Sequence, residues 1–335
     1  MLCVIGEALI DLVAELAADD AAAAVSSYRA HPGGSPFNVA IGLARLGQPT
    51  LLQARLSRDA FGRQLYRHAA KNEVDLSIAV AATEPSTLAI VGLDEHRNAT
   101  YDFYLNGTAD WQWTEIELQR APQDSGWVHF GSLASWTEPA ATVIASHLSR
   151  IRGQATTVIS YDPNIRPLLM GRHSDAVAIV ERSVGLAHVV KASAEDLAWL
   201  YQGRTIASVQ QAWQQLGPSL VVVTNGSSGA SAFTASGEWL SVPAQPVKVV
   251  DTVGAGDAFM AGLINALIRA DIRLIGDDRT QARGDRVRRV LDEAILVAAL
   301  TCARAGADPP SAAELSAAQA GIQAGLGVQP QAGTR

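Results

Sequence analysis

The 335-residue chain has only two cysteines, Cys3 and Cys302, in apolar segments at opposite ends. Such a pair makes neither a disulfide framework nor a metal-ligand spacing. A reducing cytoplasm is the expected compartment. No uninterrupted apolar run approaches the ~20 residues of a membrane span. The opening MLCVIGEALIDLV lacks a basic leader and reads as a buried strand, not a signal peptide. Basic charge is the minority: 26 Lys and Arg against 33 Asp and Glu leave a net charge of −7. That balance argues against nucleic acid as a partner. The seven histidines form no HExxH pair, so a dedicated zinc site is not expected. GxxxxGK[ST] and GxSxG are also absent, which removes the Walker A loop and the α/β-hydrolase elbow.

What remains is a globular composition, 48% hydrophobic and 18% charged, suited to a sizeable core. Leu2 to Ile5, Trp127 to Phe130, Thr157 to Tyr161, His188 to Lys191 and Leu220 to Thr224 read as buried strands. Between them lie helical patterns at Pro36 to Leu46, Glu138 to Arg150, Asp175 to Ala187, Ala194 to Tyr201 and Ile206 to Leu216. This alternation predicts a mostly parallel sheet flanked by helices. Thr87 to Leu105 breaks it, reading as two strands joined by a polar turn at Asp94 to Asn98. That hairpin is either a cover over a site or a plain packing edge. The tryptophans at 111, 113 and 127 flank it and read first as core. Residues 271 to 289 mix both charge signs, as a solvated loop or helix face does. Residues 1 to 310 are expected to form one α/β domain, with a lid built mainly from about 87 to 107. A C-terminal helix and frayed tail are expected over 311 to 335.

Two glycine-rich turns precede helical patterns. The second, DTVGAGD at 251 to 257, lets backbone N–H groups converge at a helix start, which favours an anion. It is not a dinucleotide fingerprint, because GAGDAF lacks the third glycine. Asp257 there is either a helix cap or a base that takes a proton beside an anion hole. In the first turn, HPGGSPFN, Gly33 and Gly34 allow close backbone approach, and Asn38 offers an amide to sugar hydroxyls. Asp11, inside the apolar IDLV, either binds a ligand or is satisfied by backbone amides. YDPNIRP follows a strand, where open α/β sheets bind ligands, and Arg166 in it is either a phosphate clamp or a surface residue. KASAED at 191 to 196 and TNGSSG at 224 to 229 are strand ends that suit a phosphate or hydrated Mg²⁺, or ordinary turns.

Together these turns resemble the ribokinase/PfkB family of carbohydrate kinases. DTVGAGDAFMAGL resembles that family's C-terminal signature and GGSPFNVAIGLARLG its N-terminal one. The resemblance implies a Rossmann-like α/β ribokinase fold with a small β-sheet lid. It implies an ATP- and Mg²⁺-dependent sugar kinase, with Asp257 as base and Gly254, Ala255 and Gly256 as anion hole. Asp11, Gly33, Gly34, Asn38, Tyr104 and Asn164 then fall on the sugar side, and Arg166 reaches the phosphoryl group. Lys191, Ser193, Thr224, Asn225, Gly226 and Gly229 fall on the nucleotide side. Asp196 is expected near Mg²⁺ through water, and Asp251 near a K⁺ ion. A homodimer through the lid is a further implication. Within the family, GGSPFNVA, YDPNIRP and FYLNGTAD look most like bacterial fructokinases, with 2-keto-3-deoxygluconate kinases as near neighbours. A non-catalytic sugar- or nucleotide-binding regulator on the same fold is the rival from another class, and the intact GAGD argues against it. Leu105 stands where related sequences carry a lid arginine, which makes an acidic sugar a poorer fit.

Overall fold

Leu2 and Val4 pack into one hydrophobic cluster and Cys3 and Ile5 into another. Alternate side chains of a strand point to opposite faces, so this split means a sheet covered on both sides. The computed structural model describes residues 1–15, 27–93, 99–122, 125–272, 274–276 and 283–324. The first strand is β1 (Leu2–Ile5), followed by β2 (Leu9–Glu15), β3 (Ser27–Gly33), α1 (Ser35–Arg45), β4 (Thr50–Gln53) and β5 (Arg55–Ser57). Then come α2 (Ala60–Lys71), β6 (Val80–Ala82), β7 (Leu88–Leu93), β8 (Ala99–Tyr104), α3 (Glu115–Leu118) and β9 (Trp127–Gly131). The chain continues with α4 (Ala140–Gln154), β10 (Val158–Asp162), α5 (His173–Leu186), β11 (Val189–Ser193), α6 (Ala194–Leu200) and α7 (Ile206–Gln215). It finishes with β12 (Leu220–Thr224), β13 (Ala230–Thr234), β14 (Trp239–Val242), α8 (Ala255–Arg269), α9 (Gly284–Cys302) and α10 (Ala312–Gln323).

Eight strands form the main sheet in the order β14-β13-β12-β11-β10-β9-β1-β4. Pairings from β4 to β12 are parallel; β13 and β14 add antiparallel at one edge. The fold is therefore α/β, with mostly parallel strands flanked by helices, as the alternation of patterns predicts. Strands expected to start at Thr157 and His188 begin one residue later. His188 is taken up instead by its ring nitrogen Nδ1, which accepts the Ile159 N–H at 2.9 Å. One face is covered by α1, α8 and α9, whose Phe37, Leu263 and Leu291 are buried. The other is covered by α4, α5 and α7, with Leu148, Val184 and Trp213. Trp111, Trp113 and Trp127 are all buried in these cores, as read from the sequence.

A second sheet, ordered β3-β2-β7-β8, contains the strands expected of the lid. β7 and β8 are the expected antiparallel pair, with Leu88 opposite Tyr104; their turn at 94–98 lies outside the described residues. The structure adds β2 and β3 from the N-terminal region to this sheet. Its root is tied to the main body by Arg55. The buried guanidinium donates to Ala109 O at 2.9 Å and Glu84 at 2.8 Å, and pairs with Glu117. Of the mixed-charge residues 271–289, 273 and 277–282 lie outside the described residues and the last six start α9; the expected C-terminal helix is α10. The tail after residue 324 lies outside the described residues.

Candidate active site

Strands β1, β9, β10, β11 and β12 run parallel, so their C-terminal ends open on one edge of the sheet. Open α/β sheets present ligand crevices along that edge. The start of α8 lies there. Its N-cap is Gly254, at φ 73°, a left-handed conformation that glycine adopts without steric cost. A Cβ at this position would also come within 2.5 Å of Ala307 Cβ. The turn therefore needs glycine twice over.

Asp257, in the first turn of α8, does not cap its own helix; both of its oxygens are taken by α1. Ser35 Oγ donates to Oδ1 at 2.6 Å and Asn38 Nδ2 to Oδ2 at 2.8 Å. Burial raises its pKa above the ordinary carboxylate value, while Ser35, Asn38, Lys191 and Arg166 pull it back down. The result is an oriented carboxylate with tuned basicity, as a general base needs. Of the amides behind it, Ala255 N–H turns back to Thr252 O at 3.2 Å. The Gly256 and Asp257 amides belong to the open first turn, where a helix supplies no acceptor.

Asp11, on strand β2, is close enough to Asp257 for the two charges to act on each other. Burial lifts its pKa to about 6, and the charges of Arg166 and Asp257 act on it in opposite directions. Gly33 lies beside it: a Cβ there would stand 2.2 Å from Asp11 Oδ2. The next residue, Gly34 at φ 102°, passes over the Glu7 carbonyl, 2.7 Å from where a Cβ would sit. Asn164, at φ 42°, donates from Nδ2 to Ser132 Oγ at 3.1 Å and accepts from Arg166 Nη1 at 2.8 Å. Tyr104 is 59% exposed at the end of β8, and among the described residues no hydrogen bond ties it to those around Asp257.

Lys191 is buried, and its Nζ pairs with Asp162 Oδ2 at 2.8 Å. It lies directly behind Gly256, 3.1 Å from where a Cβ would be. Burial opposes its charge, but Asp162, Asp196 and Asp257 outweigh that and raise its pKa, so the ammonium persists. Ser193 and Asp196 form the capping box of α6. Asp196 Oδ1 and Oδ2 accept the Ile165 and Ser193 amides, both at 2.9 Å, tying the Asn164–Arg166 loop to α6. Thr224 ends β12, and Asn225, Gly226 and Gly229 form the adjoining turn, closed by the Asn225 N–H to Gly229 O bond at 2.7 Å. Asp251 accepts from Val253 N–H at 3.0 Å and Gly306 N–H at 2.7 Å, which lowers its pKa despite partial burial. Among the described residues, no group of three or more His, Cys, Asp or Glu is arranged to hold a metal.

The sequence profile of the pfkB family carbohydrate kinases matches residues 1–314. The chain belongs to that family. It is a sugar kinase, and its fold is the ribokinase-like one. It is 36% identical over 267 residues to the fructokinase of Rhizobium leguminosarum bv. trifolii, covering 80% of this chain and 79% of that one. The fructokinase of Xylella fastidiosa, solved with bound ATP, superposes with a TM-score of 0.82 at 26% identity, over 95% and 98% of the two chains. A fructokinase double mutant of Vibrio cholerae O395, solved with fructose, ADP and potassium ion, gives a TM-score of 0.77 at 28% identity over 94% and 97%.

Several side chains of this kinase's crevice were not singled out in the sequence. Ser35 lies inside the HPGGSPFN turn yet carries no signal of its own. Asp162 had one: a charge near the end of an apolar run, opposite Lys191 on what becomes the neighbouring strand. Glu7, Asp110 and Ser132 are buried polar residues in apolar or loop contexts, and only packing brings them to the crevice.

Proposed function

We propose that this sugar kinase transfers the γ-phosphoryl group of ATP to a primary hydroxyl of D-fructose, giving fructose 6-phosphate. The observation that carries the reading is the Asp257 carboxylate. It is held by Ser35 and Asn38 at the open start of α8, with the charge of Asp11 on β2 close enough to act on it. Relatives and solved structures named fructokinase support fructose as the acceptor. The sugar binds between Asp11, the Gly33–Gly34 turn, Asn38 and Asn164. Asp257 takes the proton of the attacking hydroxyl. The first-turn amides of α8 and Arg166 stabilise the transferring phosphoryl, and Lys191 behind Gly256 adds positive charge. Such catalysis is chiefly positioning and electrostatics.

The nucleotide lies along the ends of β11 and β12, against Ser193, Thr224 and the Asn225–Gly229 turn. Mg²⁺ supplies charge neutralisation on the ATP phosphates when bound. The carboxylates at the neighbouring strand ends are engaged already, Asp162 with Lys191 and Asp196 with two amides, which fits contact through water rather than direct ligation. K⁺ binds beside Asp251, whose charge is kept by the loop amides around it. The lid pairs two subunits: Val13, Tyr28 and Tyr104 are exposed apolar or aromatic side chains on its strands. Among the described residues no helix is long and apolar enough to cross a membrane, in keeping with a cytoplasmic enzyme.

Leu105 packs partly buried against the core instead of offering a charge, which disfavours an acidic sugar such as 2-keto-3-deoxygluconate. An ADP-release assay over fructose, glucose, ribose and 2-keto-3-deoxygluconate tests the proposal. Fructose gives the highest kcat/KM. A higher value for any other sugar overturns the acceptor. Ligand binding without turnover on any of them overturns the kinase reading in favour of a regulator.

A further inference from the structure

Glu7 sits where the chain leaves β1 for the second sheet, and its side chain is fully buried. Its Oε2 accepts the Ala134 N–H at 3.0 Å, while Oε1 lacks a partner. The Ser132 hydroxyl lies close enough to the same carboxyl to hold its pKa down against burial. At the same crossing, Asp110 Oδ1 accepts the Ala8 N–H at 2.9 Å, so the adjoining backbone is pinned as well. A buried carboxyl with unused acceptor capacity is costly, and proteins seldom keep one without a use.

Arg166 sets the direction of the bonds that lead to it. A guanidinium has no lone pair, so the Asn164 atom 2.8 Å from Nη1 is the amide oxygen. The amide nitrogen then faces Ser132 Oγ at 3.1 Å, and Ser132 has to accept there. The Ser132 proton is left for another acceptor, and the Glu7 carboxyl is beside it. Two bonds thus run one way, from Arg166 through Asn164 to Ser132, and the Glu7 carboxyl with its unused Oε1 stands next in line. Ser132 also holds φ 52° and ψ −150°, a region that side chains avoid and glycine enters freely. A serine kept where glycine is easier implies that the hydroxyl is used.

We propose that Glu7 and Ser132 are positioning residues for phosphoryl transfer, holding the Asn164 amide and, through it, the Arg166 guanidinium over the Asp257 pocket. The proposal rests on the reading of Arg166 as a phosphoryl ligand. Arg166 Nη1 is held by Asn164 Oδ1 at 2.8 Å and Ile165 O at 3.0 Å, and its charge lowers the pKa of both Asp11 and Asp257.

The test is a double-mutant cycle on the full chain with Ser132→Gly and Arg166→Ala, reading kcat, KM and melting temperature. Ser132→Gly removes the hydroxyl and relieves the backbone, so the melting temperature stays level or rises. Its kcat falls about tenfold or more, since small misplacement of a reacting group is costly, and KM for ATP changes less. In the Arg166→Ala background the same substitution changes kcat by less than about twofold, because the two act as one unit. Glu7→Gln, which accepts through one atom only, shares the loss with its fold intact. Parent-like kcat in Ser132→Gly beside a crippled Arg166→Ala overturns the relay and spares the role of Arg166. Equal losses in both backgrounds mean that Ser132 acts structurally and also overturn it. Parent-like kcat in Arg166→Ala overturns the role of Arg166 and the relay with it.

Discussion

Asn38 Nδ2 lies 2.8 Å from Asp257 Oδ2, although 219 residues separate them in sequence. The bond joins the two glycine-rich turns into one site. It binds the first turn of α1 to the first turn of α8, and it favours the ionised form of Asp257. Removing it in Asn38→Ala raises the Asp257 pKa further. The base is present above that pKa and lost as pH falls through it, so the acid limb of the kcat/KM profile moves to higher pH. A hydrogen bond to a charged group contributes about 1.5–3 kcal/mol, or roughly one to two pH units of movement. Ser35→Ala moves the limb the same way. Rate profiles across the acid range check both variants, and an unmoved limb rules out Asp257 as the titrating base.

Glu7 and Asp110 make the fold itself sensitive to pH. Burial pushes each carboxyl up to about 7, far above its ordinary value. The folded state therefore binds these protons more tightly than the unfolded state. The stabilisation is fully present below the unfolded pKa values and is lost as pH rises through about 7. Each group contributes roughly 3–4 kcal/mol over that window. Urea denaturation at several pH values is expected to show stability falling from about pH 5 to neutrality. Glu7→Gln removes part of the slope. A slope unchanged by that substitution means that Glu7 does not titrate in this window.

Much of the architecture was legible because each signal was local. The apolar runs Leu2–Ile5 and Leu220–Thr224 are strands over those same residues, since a run buried on both faces has no polar interruption to blur its ends. The glycines before α1 and α8 marked two turns whose conformations demand them. Long-range assembly was less legible. Nothing local in LIDLVAE says that β2 leaves the main sheet for the second one, nor that β13 and β14 turn antiparallel at the edge. Ser35, Asp162 and Ser132 matter through what packs against them, which no spacing encodes. The Lys191 ammonium, read as a nucleotide contact, is buried in an ion pair behind Gly256.

That ion pair supports a third prediction. Lys191→Met leaves Asp162 buried without its partner, at a cost of about 3–5 kcal/mol. Adding Asp162→Leu restores much of the stability, because a buried ion pair and an apolar pair of similar volume are often nearly equivalent. Activity is not restored, since the positive charge behind the α8 turn is gone. Thermal melts and kcat on the single and double variants separate the two effects. Recovery of kcat along with stability assigns the pair a purely structural role.

The account stands on Asp257 as the base that takes the proton from the sugar hydroxyl. The measurement that reaches it most directly is turnover and ATP binding in Asp257→Asn, with fructose as acceptor. Asparagine keeps the size and one acceptor but cannot take the proton. The expected result is a loss of kcat of about 10²–10⁴-fold, in the range of general-base catalysis, with ATP affinity by calorimetry close to the parent. Turnover near the parent value contradicts the assignment.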